Sequence, residues 1–183
     1  MKILAISGSP RKGNTERLLE EMVKDIEEEK PDTADVETIL LRTLNFSGCC
    51  GWDECYYHGE CRINDRMQKE IYQKILSADG FIFATPNYFN NMSGLLKNFF
   101  DRTNPFALKK KLAGKKAAII VVGGQKKTSL GKCEDTIREF CRIHGIRVIG
   151  SELITADKLG DAEKNKKAME KCRELGRKLE RKI

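Results

Sequence analysis

Apolar residues recur along this chain in two rhythms. Lys2–Ser7, Val36–Leu41, Gly80–Thr85, Ala117–Val122 and Ile146–Ile149 are short runs, most of them apolar nearly throughout. Runs of this kind suit parallel strands covered on both faces. Between them the spacing becomes helical. In Thr15–Glu29 one stripe carries Leu18, Leu19, Met22, Val23 and Ile26. Asp65 and Gln68 read as a capping pair opening a second helix, along which Met67, Ile71 and Ile75 recur every four residues. Ser93–Arg102 reads as a third helix. Cys133, Ile137, Phe140 and Cys141 line a fourth, and Ala168, Cys172, Leu175 and Leu179 line the last. Strands alternating with helices predict an α/β doubly wound sheet of five strands. With 183 residues and no repeat or linker, the expectation is a single domain over 1–183, with a cysteine-rich insertion at about 46–64.

The helical stripes also sort the seven cysteines. Cys133, Cys141 and Cys172 fall on apolar helix faces, where cysteine behaves as a small hydrophobe. The other four crowd into Gly48–Cys61, among glycines, acids and aromatics, with no apolar face to serve. Cysteines at such spacing point to sulfur chemistry: a metal, a cluster or a redox pair.

Charge changes the picture little. The net charge is +7, and Lys109, Lys110, Lys111, Lys115, Lys116, Lys126 and Lys127 lie in a stretch without acids. No nucleic-acid-binding signature or base-stacking aromatic accompanies them, so they read as a solvated face that steers anionic partners. The first apolar run is too short for a signal peptide, and none is long enough to span a membrane. The expected compartment is the cytoplasm, with reduced thiols.

Gly8-Ser9-Pro10-Arg11-Lys12-Gly13-Asn14-Thr15 follows the first strand and opens the first helix. A doubly wound sheet binds anions there, on helix N-terminal amides. Ser9 and Thr15 add hydroxyls, Asn14 can cap or donate, Arg11 adds charge, and Gly13 lies in the turn. The segment matches neither the dinucleotide fingerprint nor the nucleotide-triphosphate loop. Uncharged donors suit a terminal monophosphate, hence FMN. After the third strand come Pro86, Asn87, Tyr88 and Phe89, at the switch point where open sheets bind ligands. Their amides can donate to the flavin edge and an aromatic can pack on its face. Gly123 and Gly124 would let the backbone approach the ring.

Ser7–Arg11 with Gly13-Asn14-Thr15, and Thr85–Phe89 followed by Met92–Lys97 and Asp101-Arg102, resemble the two flavin loops of the flavodoxin-like, NADPH-dependent FMN reductase superfamily. The cysteine window with Asp65-Arg66-Met67 is similar to the iron–sulfur flavoproteins within it. The resemblance implies strand order 2-1-3-4-5 and FMN at the carboxyl edge of the sheet. It also implies a homodimer or homotetramer, with NAD(P)H or a redox protein as partner. Iron–sulfur flavoproteins carry a Cys-x2-Cys-x2-Cys-x(4–7)-Cys run for a [4Fe–4S] cluster. Laid onto this chain, the run falls on Cys49, residue 52, Cys55 and Cys61, but residue 52 is Trp and an extra cysteine, Cys50, stands beside the first. Cys49 and Cys50 could share one cluster only if the loop bends sharply, as Gly48 and Gly51 would allow.

Zinc on Cys55, His58 and Cys61 with Cys49 or Cys50, a Cys55–Cys61 disulfide, and free thiols are the rival readings. The leading functional expectation is electron transfer by FMN and a cluster, with no side chain acting as acid or base. Its alternatives are an NAD(P)H-dependent FMN or quinone reductase without a cluster, and a non-enzymatic module with a zinc-ordered loop.

Overall fold

A computed structural model describes residues 1–183. Five parallel strands form one sheet in the order β2-β1-β3-β4-β5. They are β1 (Lys2–Ser7), β2 (Asp35–Leu40), β3 (Gly80–Pro86), β4 (Lys116–Gly123) and β5 (Arg147–Thr155). The principal helices are α1 (Asn14–Glu29), a short α2 (Glu54–His58), α3 (Tyr72–Ser77), α4 (Gly94–Asp101) and α5 (Lys127–His144). A short α6 (Asp161–Lys164) and a long α7 (Lys166–Glu180) end the chain. No helix is long and apolar enough to cross a membrane.

Alternation along apolar strands divides the core into two layers. Leu4, Ile6, Phe81, Phe83, Ile119 and Val121 face α3, α4 and α5, while Ile3, Ala5, Ile82, Ala84, Ile120 and Val122 face α1 and α7. Each fully buried aliphatic or aromatic side chain contributes roughly 1.5–3 kcal/mol. That is why the inner strands carry so few polar residues.

Three expectations need correction. β5 is not the short Ile146–Ile149 run but extends to Thr155. It is an edge strand, so its outer half tolerates Ser151 and Glu152, and a register shift opposite Ala117 and Ala118 breaks the alternation further. Asp65 accepts from the Gln68 amide at 3.3 Å, but the Gln68 side chain donates to the Cys61 carbonyl instead of closing a capping box. The helix there begins as a π turn over Met67–Ile71. Finally, the cysteine window does serve an apolar face: Cys55 is buried and Cys61 packs against the α3–α5 layer.

Cys133, Cys141 and Cys172 are buried in the core, and burial pushes each thiol up to about 12, so all three stay protonated. Serine at any one is expected to cost about 1–3 kcal/mol, because a hydroxyl loses its solvation there. Denaturant midpoints should fall while the visible spectrum of the purified protein stays unchanged.

Candidate functional site

At the carboxyl edge, β1 and β3 run side by side while their connections leave in opposite directions, which opens a crevice. A cleft of about 150 Å³ lies there. Ser9, Arg11, Asn14 and Thr15 line it from the β1–α1 loop, Pro86, Asn87 and Tyr88 from the end of β3, and Gly123 and Gly124 from the end of β4. Two separate sequence segments and a pair of glycines are thus brought together.

The first loop is braced from behind. The Gly8 amide donates to Ala84 O at 2.8 Å, and Ser93 Oγ donates to Gly8 O at 2.5 Å. The same Ser93 oxygen accepts from the Leu96 amide at 3.2 Å and caps α4. Within the loop, Ser9 Oγ donates to Arg11 O at 2.6 Å. No side chain caps α1, so its first-turn amides are left for an anion. Asn14 does not perform that capping. Its Nδ2 donates to Lys158 O at 2.8 Å and its Oδ1 accepts from the Ala162 amide at 3.2 Å, pinning the loop after β5. Gly13 does not line the cleft and sits in extended backbone open to any residue.

In the second loop Asn87 is buried. Its Nδ2 donates to Ser129 Oγ at 2.8 Å and to Gln125 Oε1 at 3.1 Å, while its Oδ1 is buried without a partner. An orphaned acceptor in the wall of a cleft awaits a donor. Tyr88 and Asn91 then exchange backbone hydrogen bonds across Phe89 and Asn90, both at positive φ (52° and 65°). Phe89 is held by that turn wholly in solvent and outside the cleft. Tyr88 is the aromatic left at the cleft wall.

Gln125, Ala156, Asp157 and Leu159 also line the cleft and were absent from the sequence reading. A strand ending at Ile149 would place its following loop away from the carboxyl edge, whereas β5 runs to Thr155. The run Leu153–Ala156 before Asp157 was the available signal. Asp157 also stands where a side chain at Gly124 would project.

A larger pocket of about 600 Å³ lies between Cys49, Gly51, Asn91, Met92 and the facing sides of α4 and α5. Phe100 and Phe140 stack in its wall with centroids 3.6 Å apart. Residues 91–92 face this pocket and residues 86–88 the cleft, so the turn between them separates the two.

Cys49 and Cys50 are exposed, Cys55 is buried and Cys61 half-buried. The bend of the loop falls at Gly51, at φ 67°. A hydrogen bond from Arg62 holds the Cys50 thiol below its ordinary range, and the same guanidinium lies 5.5 Å from the Trp52 ring centroid. Cys55 Sγ accepts from Asn104 Nδ2 at 3.4 Å. Cys61 lies beside the Tyr72 hydroxyl, whose pKa is raised by burial and by that neighbour. His58 pairs with Glu54 at 3.0 Å and not with a cysteine. No three cysteines, histidines or acids converge on one point. As folded, the window fits neither a [4Fe–4S] cluster nor a Cys3His zinc site. The cleft differs: uncapped amides, the Thr15 hydroxyl and an unpartnered amide oxygen fit a phosphate at one end and a polar ring edge at the other.

Comparison with known proteins agrees with this geometry. Residues 1–159 match the family described as NADPH-dependent FMN reductase. An iron–sulfur flavoprotein of Methanocaldococcus jannaschii is 33% identical over 98% of this chain and 95% of its own length. Another, from Methanosarcina thermophila, is 35% identical over 82% of this chain and 78% of its own. Among solved structures, an NAD(P)H:quinone oxidoreductase from Methanothermobacter marburgensis superposes with a TM-score of 0.77, covering 98% and 96% of the two chains at 21% identity.

Proposed function

Because the chain belongs to the NADPH-dependent FMN reductase family and is a flavin-dependent oxidoreductase, we propose that FMN binds in the cleft between residues 9–15 and 86–88. Reducing equivalents would come from NAD(P)H or a redox protein. The observation that carries this is the pairing of uncapped α1 amides with the orphaned Asn87 oxygen in one cleft. When bound, FMN supplies the chemistry, taking two electrons and releasing them together or singly. The chain's own groups bind and orient it. The α1 amides and the Thr15 hydroxyl receive the phosphate; Ser9, whose hydroxyl donates to Arg11 O, shapes the loop, and Arg11 adds charge from the rim. Asn87 accepts a hydrogen bond from the ring system and is itself held by Gln125 and Ser129. Gly123 and Gly124 keep the β4 side open to the ring. Asn14 serves the site indirectly, by anchoring the 158–162 loop.

Thr15→Ala is the direct test, since Thr15 is buried in the cleft wall. A hydrogen bond to a charged group is worth roughly 1.5–3 kcal/mol, so FMN affinity should fall about tenfold or more in a fluorescence titration. Unchanged affinity would remove Thr15 from the phosphate site.

The second reading adds a [4Fe–4S] cluster at Cys49, Cys50, Cys55 and Cys61. Its support is the similarity to iron–sulfur flavoproteins along nearly the whole chain. Assembly there requires the loop to rearrange, because Cys50 is engaged by Arg62 and the thiols do not converge. Protein purified without oxygen should contain iron and acid-labile sulfide. Cys55→Ser and Cys61→Ser should each remove most of both, as thiolate is the favoured ligand for such centres. Stoichiometric zinc without sulfide would end this reading and leave the flavin as the redox centre.

A further inference from the structure

One guanidinium ties both ends of the cysteine window to the rest of the protein. The Arg102 side chain is fully buried and forks onto Asp65, Nη1 to Oδ2 at 2.8 Å and Nη2 to Oδ1 at 2.9 Å. Nη1 also donates to Ser47 O at 2.7 Å and Nη2 to Ile63 O at 3.4 Å. Asp65 Oδ2 accepts in turn from the Ser47 amide at 2.9 Å. The chain enters the window at Ser47 and leaves it at Ile63, so this single ion pair closes the loop at its base. Tyr72 reinforces it by donating from its hydroxyl to Arg102 O.

Arg102 follows directly on α4, and other contacts of the window go to the same stretch. The Cys49 amide donates to Asn98 Oδ1 at 3.0 Å, and Asn104 reaches the Cys55 sulfur. The opposite end of α4 braces the β1–α1 loop of the cleft from behind. There Ser93 is hydrogen-bonded to Gly8 O, and its amide donates to Thr85 Oγ1 at 3.0 Å. From Ser93 to Arg102 the helix advances roughly 13 Å, at about 1.5 Å per residue. One rigid element therefore joins the phosphate loop to the cysteine loop.

We propose that α4 is a strut and Asp65–Arg102 its latch: together they hold the cysteine loop at a set distance from the flavin cleft, with Cys55 and Cys61 turned inward. Arg102 and Asp65 are positioning residues for whatever redox chemistry the thiols carry. The inference goes beyond the flavin assignment, because every contact in the latch is between protein groups.

Trp52 is the sole tryptophan and lies in the loop, so its emission reports the loop alone. The experiment compares wild type with Asp65→Asn/Arg102→Met, which removes both charges and leaves no buried ion unpaired. Maleimide labelling of each cysteine, read by mass spectrometry, is followed in the flavin-loaded protein together with Trp52 emission and FMN affinity. Cys55 and Cys61 should label at least tenfold faster and Trp52 emission should shift. Labelling of Cys133, Cys141 and Cys172, and FMN affinity within about twofold, should not change.

Arg102→Lys adds a separation of roles. Lysine keeps the charge but cannot span Ser47, Asp65 and Ile63 at once, so it should recover more of the melting temperature than of the thiol protection. Equal recovery of both would make Arg102 merely structural. Unchanged labelling of Cys55 and Cys61 in the double variant would overturn the latch. So would a parallel rise at the three core cysteines, or a loss of FMN affinity with the loop. Wild type that binds no FMN would end the flavin assignment instead, while the labelling and emission readouts would still decide the latch.

Discussion

Replacing Arg102 alone with methionine is expected to cost about 3–5 kcal/mol, because it leaves the largely buried Asp65 carboxylate without its partner. Equilibrium denaturation measures this directly. Removing both charges should return much of the loss, since a missing pair is cheaper than a widowed ion. Acid supplies a second measurement. Burial alone would raise the Asp65 carboxyl. The Arg102 hydrogen bond, the Ser47 and Gln68 amides and the Arg102 charge outweigh it, and the pKa falls from 3.8 to about 2. A carboxyl lowered on folding stabilises the fold above its unfolded value and loses that contribution as the pH falls through the folded value. The latch should therefore hold fully above about pH 4 and weaken between there and pH 2. Wild type should show that segment of acid destabilisation and the double variant should lack it. Identical acid curves would mean that Asp65 is not held as described.

Gly8→Ala should do the largest damage to flavin binding. A β-carbon at residue 8 would stand 2.7 Å from Leu96 Cβ and 3.0 Å from Ser93 Oγ. Leu96 is fully buried, and its β-carbon is fixed to its own backbone, so that contact cannot be relieved by turning a side chain. Either α4 or the β1–α1 loop must move. Overpacking of this kind costs about 1–3 kcal/mol. Moving the loop also misplaces the first-turn amides, each worth roughly 1.5–3 kcal/mol against a charged phosphate. FMN affinity should drop on the order of a hundredfold, equivalent to about 2.7 kcal/mol. Fluorescence titration checks it, and affinity within about threefold of wild type would mean that the β1–α1 loop does not hold the phosphate.

Much of this protein could be read before it was folded, for an identifiable reason. A strand covered on both faces has to be apolar along its length, and a helix against a sheet has to carry a stripe. Hence β1, β3, β4, α1 and α7 stood out, and the stripes separated Cys133, Cys141 and Cys172 from the other thiols. The two loops that line the cleft were legible as segments because the turns after β1 and β3 sit at the carboxyl edge, where the helix that follows leaves amides open to a ligand. β5 was only half legible, since an edge strand is not required to be apolar.

What remained hidden depends on partners far apart in sequence. Nothing around Asn14 says that both ends of its amide are taken by Lys158 and Ala162. The spacing of the cysteine window suggested one site, but side chains follow the backbone that carries them. α2 and the bend at Gly51 send Cys50 toward Arg62 and Cys55 toward Asn104. Arg102 read as the polar end of a helix. Only the tertiary structure brings Ser47, Ile63 and Asp65 around its guanidinium. Local pattern records how deeply each residue is buried; which groups meet in the interior is decided when the chain closes on itself.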